Sequence, residues 1–555
     1  MIEIQKKFFL HLLTRQKNNI VLSTEMRLPI LYFFLIVLLC MPTISCRKTD
    51  DGRLPNHLYL RLSSNPTTLD PALITDVQGG TIAAKIFNGL VRFNENLDIL
   101  PDIALSWKLS EDQNSYTFRL RRDVQFSNGR RVMAQDVQYS FERVLTPGTK
   151  APLTWVLDKI EGADDFTAGK SKSVSGIRVV DDHTITLKLK KPFGPFLSLL
   201  TMTTAYVVPR EEVERLAQDF GTHPVGSGPY ILAEWKHGQY LKLTAREDYF
   251  EGKPKLNGIY YRVIPENLTA VMEFETGRLD VLLIPSSEYR HYTTDPAWRD
   301  LVYGRTGLNT YYLGFNCTRP PLNDLRVRKA INLAIDRRHM LNTILEKRGV
   351  LARGPIPPGM WKSKAFSRIL QGQGYDYDPQ KARALIHEAG VEGSTIKIYI
   401  TADDPEVLDI VEVIGNYLEK VGLLVDIVPL DWSALKEAVN EGVPDAFWLS
   451  WWADYPDPED FLFPLFHSAS IGSGGNRTRC IDPQLDRLIE TAQSTMDEKQ
   501  RYRLYRQIED RIIQNAPWVF MWHKADYFVI QPWVKDFRIY PIYSIDKRVD
   551  VTMNR

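Results

Sequence analysis

Between Thr395 and Leu430 the hydrophobic period changes twice. Ile396, Ile398 and Ile400 alternate as one face of a strand, the stretch from about Pro405 to Val421 reads as a helix, and Leu423 to Leu430 reads as a second strand. Two strands joined through a helix return in parallel, because the helix must cover the sheet between them. This βαβ unit commits at least part of the chain to an α/β fold with a parallel sheet.

Other segments carry different signals. His57 to Leu62 alternates like a strand, as does Ser115 to Leu120, and Asn128-Gly129 marks a turn after Val124 to Phe126. Ile177 to Val180, the turn Asp181-Asp182 and the shared face of Ile185, Leu187 and Leu189 predict a strand pair, so roughly 82–200 reads as a strand-rich α/β unit. Alternation from Ile231 to Leu243 predicts further strands, after the turn Gly226-Ser227-Gly228-Pro229-Tyr230. Helices are expected from Ile82 to Asn88, from Asp324 to His339, and from Pro379 with Asp378 as N-cap and Gly390 as stop. Thr495 and Glu498 have capping-box spacing ahead of Leu504, Ile508 and Ile512. A chain of 555 residues exceeds one hydrophobic core, so two or three domains are expected.

The first 45 residues stand apart. Arg27 precedes an apolar run from Leu28 to Met41, then Thr43-Ile44-Ser45-Cys46. The run is too short for a permanent span of a ~30 Å hydrocarbon core and reads as a secretory signal. Ser45-Cys46 resembles the lipobox of bacterial lipoproteins, although Thr43 stands where that pattern has leucine. The resemblance implies cleavage before Cys46 and a lipid on its sulfur, which anchors the chain to a bacterial membrane on the periplasmic or cell-surface side; an ordinary cleaved signal with a spare thiol is the other reading. Met26-Arg27 would make an ordinary start, and residues 1–25 are then an extension ahead of it. Of 69 basic and 68 acidic residues, five and two fall before Cys46, so the rest carries a net charge of −2. That balance gives no electrostatic footprint for nucleic acid. Cys317 and Cys480 are left, as a disulfide or as two buried thiols.

The usual catalytic motifs are missing. There is no P-loop, G-x-S-x-G, H-E-x-x-H or C-x-x-C, the ten histidines have no metal-ligand spacing, and nothing calls for a cofactor. The segment Trp448 to Leu462 is unusual instead: Leu449, Ser450, Trp451 and Trp452 run straight into Asp454, Asp457, Glu459 and Asp460, with prolines at 456 and 458. A carboxylate at the mouth of an apolar, indole-flanked pocket suits a ligand ammonium. Asp457, just before Pro458, has the pattern of a helix N-cap. Capping by Asp454, core packing of the tryptophans and a calcium site built from the four acids are the competing readings.

Several blocks, in their order and spacing, resemble the family 5 solute-binding proteins, the oligopeptide- and dipeptide-binding lipoproteins of ABC transporters. They are Leu105-Ser106-Trp107 with Tyr116 to Leu120 and Val124 to Gly129, then Gly226 to Tyr230 with Trp235. Tyr249-Phe250 with Gly252-Lys253-Pro254 follows, then Asn323-Asp324 through Arg328 to Asp336-Arg337, Pro355 to Pro358, and Asp482-Pro483 with Asp486. The resemblance implies a class II periplasmic binding protein fold, with two lobes, a hinge and three domains. Domain I would be 47–82, 205–305 and 525–555, domain II 83–204, and domain III 306–524. It implies a receptor, not an enzyme, that delivers oligopeptides or dipeptides to ABC permease subunits. By position, Asp454 matches the family's ammonium-binding Asp, Leu449 to Trp452 the strand beside the ligand, and Arg353 is the candidate for the opposite, carboxylate end. Binding of murein peptide, haem or a metal complex is the alternative, as is a surface sensor or adhesin.

Overall fold

The structure, a computed structural model, describes residues 53–361, 374–473, 475–542 and 546–555. The apolar leader and Cys46 lie outside them. No helix among the described residues is long and apolar enough to cross a membrane.

Three sheets organise the chain. The first has four strands in the order His57–Leu62, Gly258–Val263, Tyr240–Ala245, Tyr230–Lys236, the first pair parallel and the others antiparallel. Leu58, Leu62, Leu241, Leu243, Ile259 and Tyr261 point from it into one core. The second sheet is antiparallel throughout, in the order Ala104–Leu109, Ser115–Leu120, Thr184–Lys188, Ile177–Asp181. Its pattern is the expected one: Tyr116, Phe118 and Leu120 are buried, as are Ile185, Leu187 and Leu189.

The third sheet has eight strands. Its path runs Val281–Leu283, Trp518–Ile530, Asn309–Phe315, Ala446–Trp452, Thr395–Thr401, Leu424–Leu430, with Val302–Thr306 and Gly349–Leu351 also paired to Trp518–Ile530. The predicted βαβ unit is here: Thr395–Thr401 and Leu424–Leu430 are parallel, joined through the helix Pro405–Glu419. The long strand from Trp518 is buried on both faces as far as His523 and then continues beside Val302–Thr306. Asn309 fastens that crossing, since its side chain donates to Lys524 O (3.0 Å) and accepts from Lys524 N (2.8 Å). His523 is fully buried there, with its imidazole pKa pushed down to about 4 by burial and Nδ1 2.8 Å from Asn309 O.

Local signals held where they were short-range. Asp378 caps Pro379–Ala389 and Gly390 ends it at φ +67°. Gly226 and Gly228 are required by close approach: a Cβ on either would lie 2.2–2.3 Å from the carbonyl oxygens of Ile86 and Lys85. Three expectations change. The helix expected at Asp324–His339 is two, Leu325–Ala334 and Arg337–Thr343, because Asp336 accepts from His339 N and caps the second. Thr495 forms no capping box; Asp497 caps Glu498–Asn515 by accepting from Gln500 N at 2.7 Å. The short helix before Gly89 starts earlier and spans Val77–Ile86, capped by Asp76. Cys317 and Cys480 are joined by a disulfide, with Cα atoms 5.2 Å apart.

Candidate functional site

The strand Ala446–Trp452 leads to the site. One edge pairs fully with Asn309–Phe315, Thr310 opposite Trp451 and Asn309 opposite Trp452. The other edge pairs with Thr395–Thr401 only at Ala446 and Phe447. Beyond Phe447 that edge has no ladder partner among the described residues, so the main chain of Trp448–Trp452 offers an open strand edge there. Leu449 turns its side chain into the core with Phe447 and Leu462 and is 6% exposed, and its main chain faces Tyr312 within the ladder, so it is Ser450 and Trp452 whose main-chain groups point to the open edge. Trp452 meets Tyr311 edge-on, with ring centres 6.5 Å apart.

After the strand the four acids take different roles. The Ala453 N–H donates to Leu308 O at 2.8 Å and so prolongs the ladder by one residue. Asp457 is the expected cap, accepting from Glu459 N (3.0 Å) and also from the Tyr505 hydroxyl (2.7 Å). Glu459 accepts from Gln493 Nε2 (2.7 Å) and from the Tyr455 hydroxyl. Asp460 accepts the backbone N–H of Asp454 at 2.9 Å. Because they face different partners, they do not gather round one ion, and no group of three or more His, Cys, Asp or Glu among the described residues is placed to hold a metal.

Only the Asp454 carboxylate, of these four, has no hydrogen-bond or ion-pair partner among the described residues. Water reaches it, yet protein surrounds it closely enough to raise its pKa to about 6 by desolvation. Asp460 is fully buried and pushed well above the ordinary carboxylate range, first by burial and then by the charge of Asp454. The pair divides accordingly: Asp460 is held well above the ordinary carboxylate range, and Asp454, raised only to about 6, is the one that is charged at neutral pH.

Asp454 borders two cavities. One, of about 430 Å³, is largely apolar, with Ile74, Val77, Met202, Leu308, Trp452 and Ile542 in its wall. The other, of about 520 Å³, is lined by Trp155, Lys159, Phe193, Trp451, Asp460 and Gln493 among others. Each is of the size of a small-molecule site. Residues from distant parts of the chain meet round them, the second sheet's core supplying one wall and the end of the strand Ala446–Trp452 the other. A backbone hydrogen bond from Gly194 N to Gln493 O (2.7 Å) and the burial of Tyr455 in the second sheet's core, beside Trp155, join the walls.

The family description "Bacterial extracellular solute-binding proteins, family 5 Middle" matches residues 98–473, more than half of the chain. The chain belongs to this family. Among curated relatives, Heme-binding protein A of Haemophilus influenzae is 29% identical over 522 residues, 89% of this chain and 92% of its own. The Dipeptide-binding protein of Escherichia coli is 26% identical, over 86% of this chain and 91% of its own. Among solved structures, the DppA periplasmic binding protein of Helicobacter pylori in complex with the peptide STSA superposes with a TM-score of 0.73, at 26% identity, over 90% of this chain and 98% of that one. The fold of this solute-binding protein is therefore the family 5 periplasmic binding fold.

Within this family 5 protein the structure brings Asp454, Trp451 and Trp452 to the two cavities. Ser450 is half-buried in the strand and borders neither. Arg353 also borders neither; its guanidinium pairs with Asp376 at 3.0 Å. Trp155 and Lys159 are site residues that sequence reasoning missed. They lie in a segment without period or motif, and only the tertiary fold carries them to Trp451 and Asp454.

Proposed function

We propose that this chain is an extracytoplasmic receptor that captures short peptides and delivers them to the permease subunits of an ABC transporter. The observation that carries the reading is Asp454: an unpartnered carboxylate, ionised at neutral pH, at the junction of two cavities and at the end of an open strand edge. A peptide ammonium supplies the missing counter-charge. The peptide main chain can add to the free edge of Trp448–Trp452 as a further strand, which gives affinity without reading side chains. Trp451 and Trp452 wall the two cavities beside it, and Ser450 and Trp452 offer main-chain groups to the open edge.

The same reading takes 1–45 as an export signal and Cys46 as a lipidated anchor. It divides the chain into domain I (47–82, 205–305, 525–555), domain II (83–204) and domain III (306–524), with closure by hinge motion at the paired strands near Asn309 and Lys524. Mass spectrometry of ligand that co-purifies with the protein tests it. Peptides with free amino termini are the expected finding; a ligand without any amino group overturns it. Haem is the second reading, favoured by the 29% identity to Heme-binding protein A. Absorbance titration with haem separates the two, and saturable one-to-one uptake would favour the second.

A further inference from the structure

The first sheet buries one face and shows the other. Leu58, Leu62, Leu241, Leu243, Ile259 and Tyr261 fill its core side, so alternation along the strands turns Tyr260, Tyr240, Lys242 and Lys236 to the opposite face. We propose that this outer face rests on an anionic lipid bilayer and so orients the receptor on its anchor. The inference rests on the reading of Cys46 as a lipidated residue.

The make-up of the face fits a headgroup layer. Three tyrosines cross it as a stack, with ring centres 4.9 Å apart from Tyr59 to Tyr260 and 4.8 Å from Tyr260 to Tyr240. Tyr260 and Tyr240 are half-buried, and a ring with an apolar body and a hydroxyl at its tip suits the border between water and lipid. Lys242 stands opposite Tyr260 and Lys236 opposite Tyr240, and neither ammonium has an ion-pair partner among the described residues. The four strands carry Arg61, Arg262, Lys236 and Lys242 against one acid, Glu234. Glu234 lies opposite Lys242, and its carboxylate accepts from the Tyr240 hydroxyl at 2.7 Å. This positive face belongs to a chain that carries a net charge of −2 after Cys46.

Apolar surface adjoins it. Arg61 donates to Asn267 Oδ1 (2.9 Å) and Arg262 pairs with Glu273, which draws the helix Asn267–Glu275 to this face. The helix buries Ala270, Val271 and Phe274, while Leu268 and Met272, one turn apart, are 66% and 55% exposed. Exposed apolar side chains next to tyrosines and unpaired lysines are what a protein surface lying on a bilayer presents.

The tether selects the occupant. Nine residues separate Cys46 from Asn56, so the two can be no more than about 35 Å apart however the chain runs. Asn56 is fixed where the chain enters the first sheet: its side chain donates to Lys255 O and its carbonyl accepts from Asn257 N, each at 2.9 Å. A lipid on Cys46 therefore keeps this sheet near the headgroups. Anionic headgroups supply the charge that Lys236 and Lys242 lack, at about fivefold in occupancy for each lysine. The face borders neither cavity beside Asp454, so docking and peptide binding use different surfaces.

The test compares the lipidated full chain in detergent, on vesicles of phosphatidylcholine, and on vesicles of phosphatidylcholine mixed with phosphatidylglycerol. Acylation of lysines by a succinimidyl ester and peroxide oxidation of Met272, both read by peptide mass spectrometry, report access. On the mixed vesicles Lys236 and Lys242 should react about fivefold or more slowly than in detergent, and Met272 should be shielded with them. Lys170, exposed in the part of the chain built round the second sheet, should keep its rate. Phosphatidylcholine alone should shield much less. Lys236→Glu combined with Lys242→Glu should expose Met272 again while the protein still floats with the vesicles. Equal rates in detergent and on mixed vesicles, with the protein floating, overturn the docking and leave the anchor standing. Failure to float with either vesicle overturns both. Shielding already present in detergent that grows with protein concentration would mean that a second copy of the chain covers the face, and also overturns the proposal.

Discussion

The backbone N–H of Asp454 donates to the carboxylate of Asp460 at 2.9 Å, so two acids share one turn at the end of the strand Ala446–Trp452. The contact itself favours the charged form of Asp460, but burial and the neighbouring charge of Asp454 outweigh it. Asp460, sealed from water, is pushed well above the ordinary carboxylate range, and Asp454 is left as the charged one of the two.

Asp454→Asn should therefore weaken a peptide with a free amino terminus by roughly 2–5 kcal/mol, about 30-fold to several thousand-fold. An N-acetylated peptide should bind the native protein poorly and lose little more. Because the Asp454 pKa is raised to about 6, the binding form is lost as pH falls through that value, and affinity for the free peptide should drop about tenfold from pH 7 to pH 5. Asp457→Asn should cost much less affinity. Calorimetry at both pH values checks all four outcomes; equal losses for free and acetylated peptides would show that Asp454 does not meet the amino group.

How much of this was legible in the sequence depends on range. Asp378 with Pro379 and Gly390 announces both ends of a helix within twelve positions, and those ends are as read. The alternation of Ile396, Ile398 and Ile400 and the parallel partner strand are equally local. Asp454 was legible because an apolar strand ends abruptly in carboxylates. The capping box at Thr495 failed because Asp497 lies next to the first helical residue and wins the competition for the free N–H groups. One helix was read over Asp324–His339 because its polar and apolar spacing continues past Ile335, where the backbone in fact extends and Asp336 starts again. Lys159 had no signal at all: a lysine after Asp158 reads as a solvated surface pair until the fold brings it to the cavity that Asp454 also lines.

Anchoring is a separate matter from binding. If Cys46 carries lipid, the native protein partitions into the detergent phase of a detergent–water separation, and Cys46→Ala moves it to the aqueous phase with peptide affinity unchanged. Unaltered partitioning would leave Cys46 without that role.

The Cys317–Cys480 bridge closes a loop of 163 residues. Cross-linking so long a loop removes much freedom from the unfolded chain, and the substitution of both cysteines by serine should lower stability by about 2–5 kcal/mol. Urea unfolding of the two proteins, compared at equal slope, measures it. Peptide affinity should change little, since neither cysteine borders the cavities.

Glu509 is fully buried under the chain at Gly354 and Ile356; one carboxylate oxygen accepts from Ile356 N at 3.4 Å and the other has no partner among the described residues. Burial raises its pKa to about 8. The folded protein then keeps a proton that the unfolded chain releases near pH ~4.3. Its contribution to stability is full below that value and is lost as pH rises towards 8. Glu509→Gln cannot titrate, so relative to it the native protein should lose about 2–4 kcal/mol between pH 5 and pH 8. Melting temperatures of both proteins at the two pH values check the sign, and parallel curves would refute it.

Gly194 offers a way to test closure without touching the ligand site. Its N–H bonds Gln493 O across the seam, and a Cβ built on it would lie 2.9 Å from the Thr495 carbonyl oxygen and 2.5 Å from the Arg501 guanidinium. The guanidinium can move aside, but the carbonyl belongs to the backbone and is fixed by the turn before Glu498–Asn515. Gly194→Val thus acts as a wedge between the two walls of the larger cavity. If peptide binding draws the lobes together, the native protein shows a smaller radius of gyration with peptide than without, and the valine variant shows little change. Its affinity should fall as well, because contacts made only in the closed form are lost, while a peptide held by Asp454 alone still binds. Small-angle scattering on both proteins, with binding confirmed by calorimetry, decides the matter: full compaction of the variant would mean that the seam at Gly194 is not part of closure.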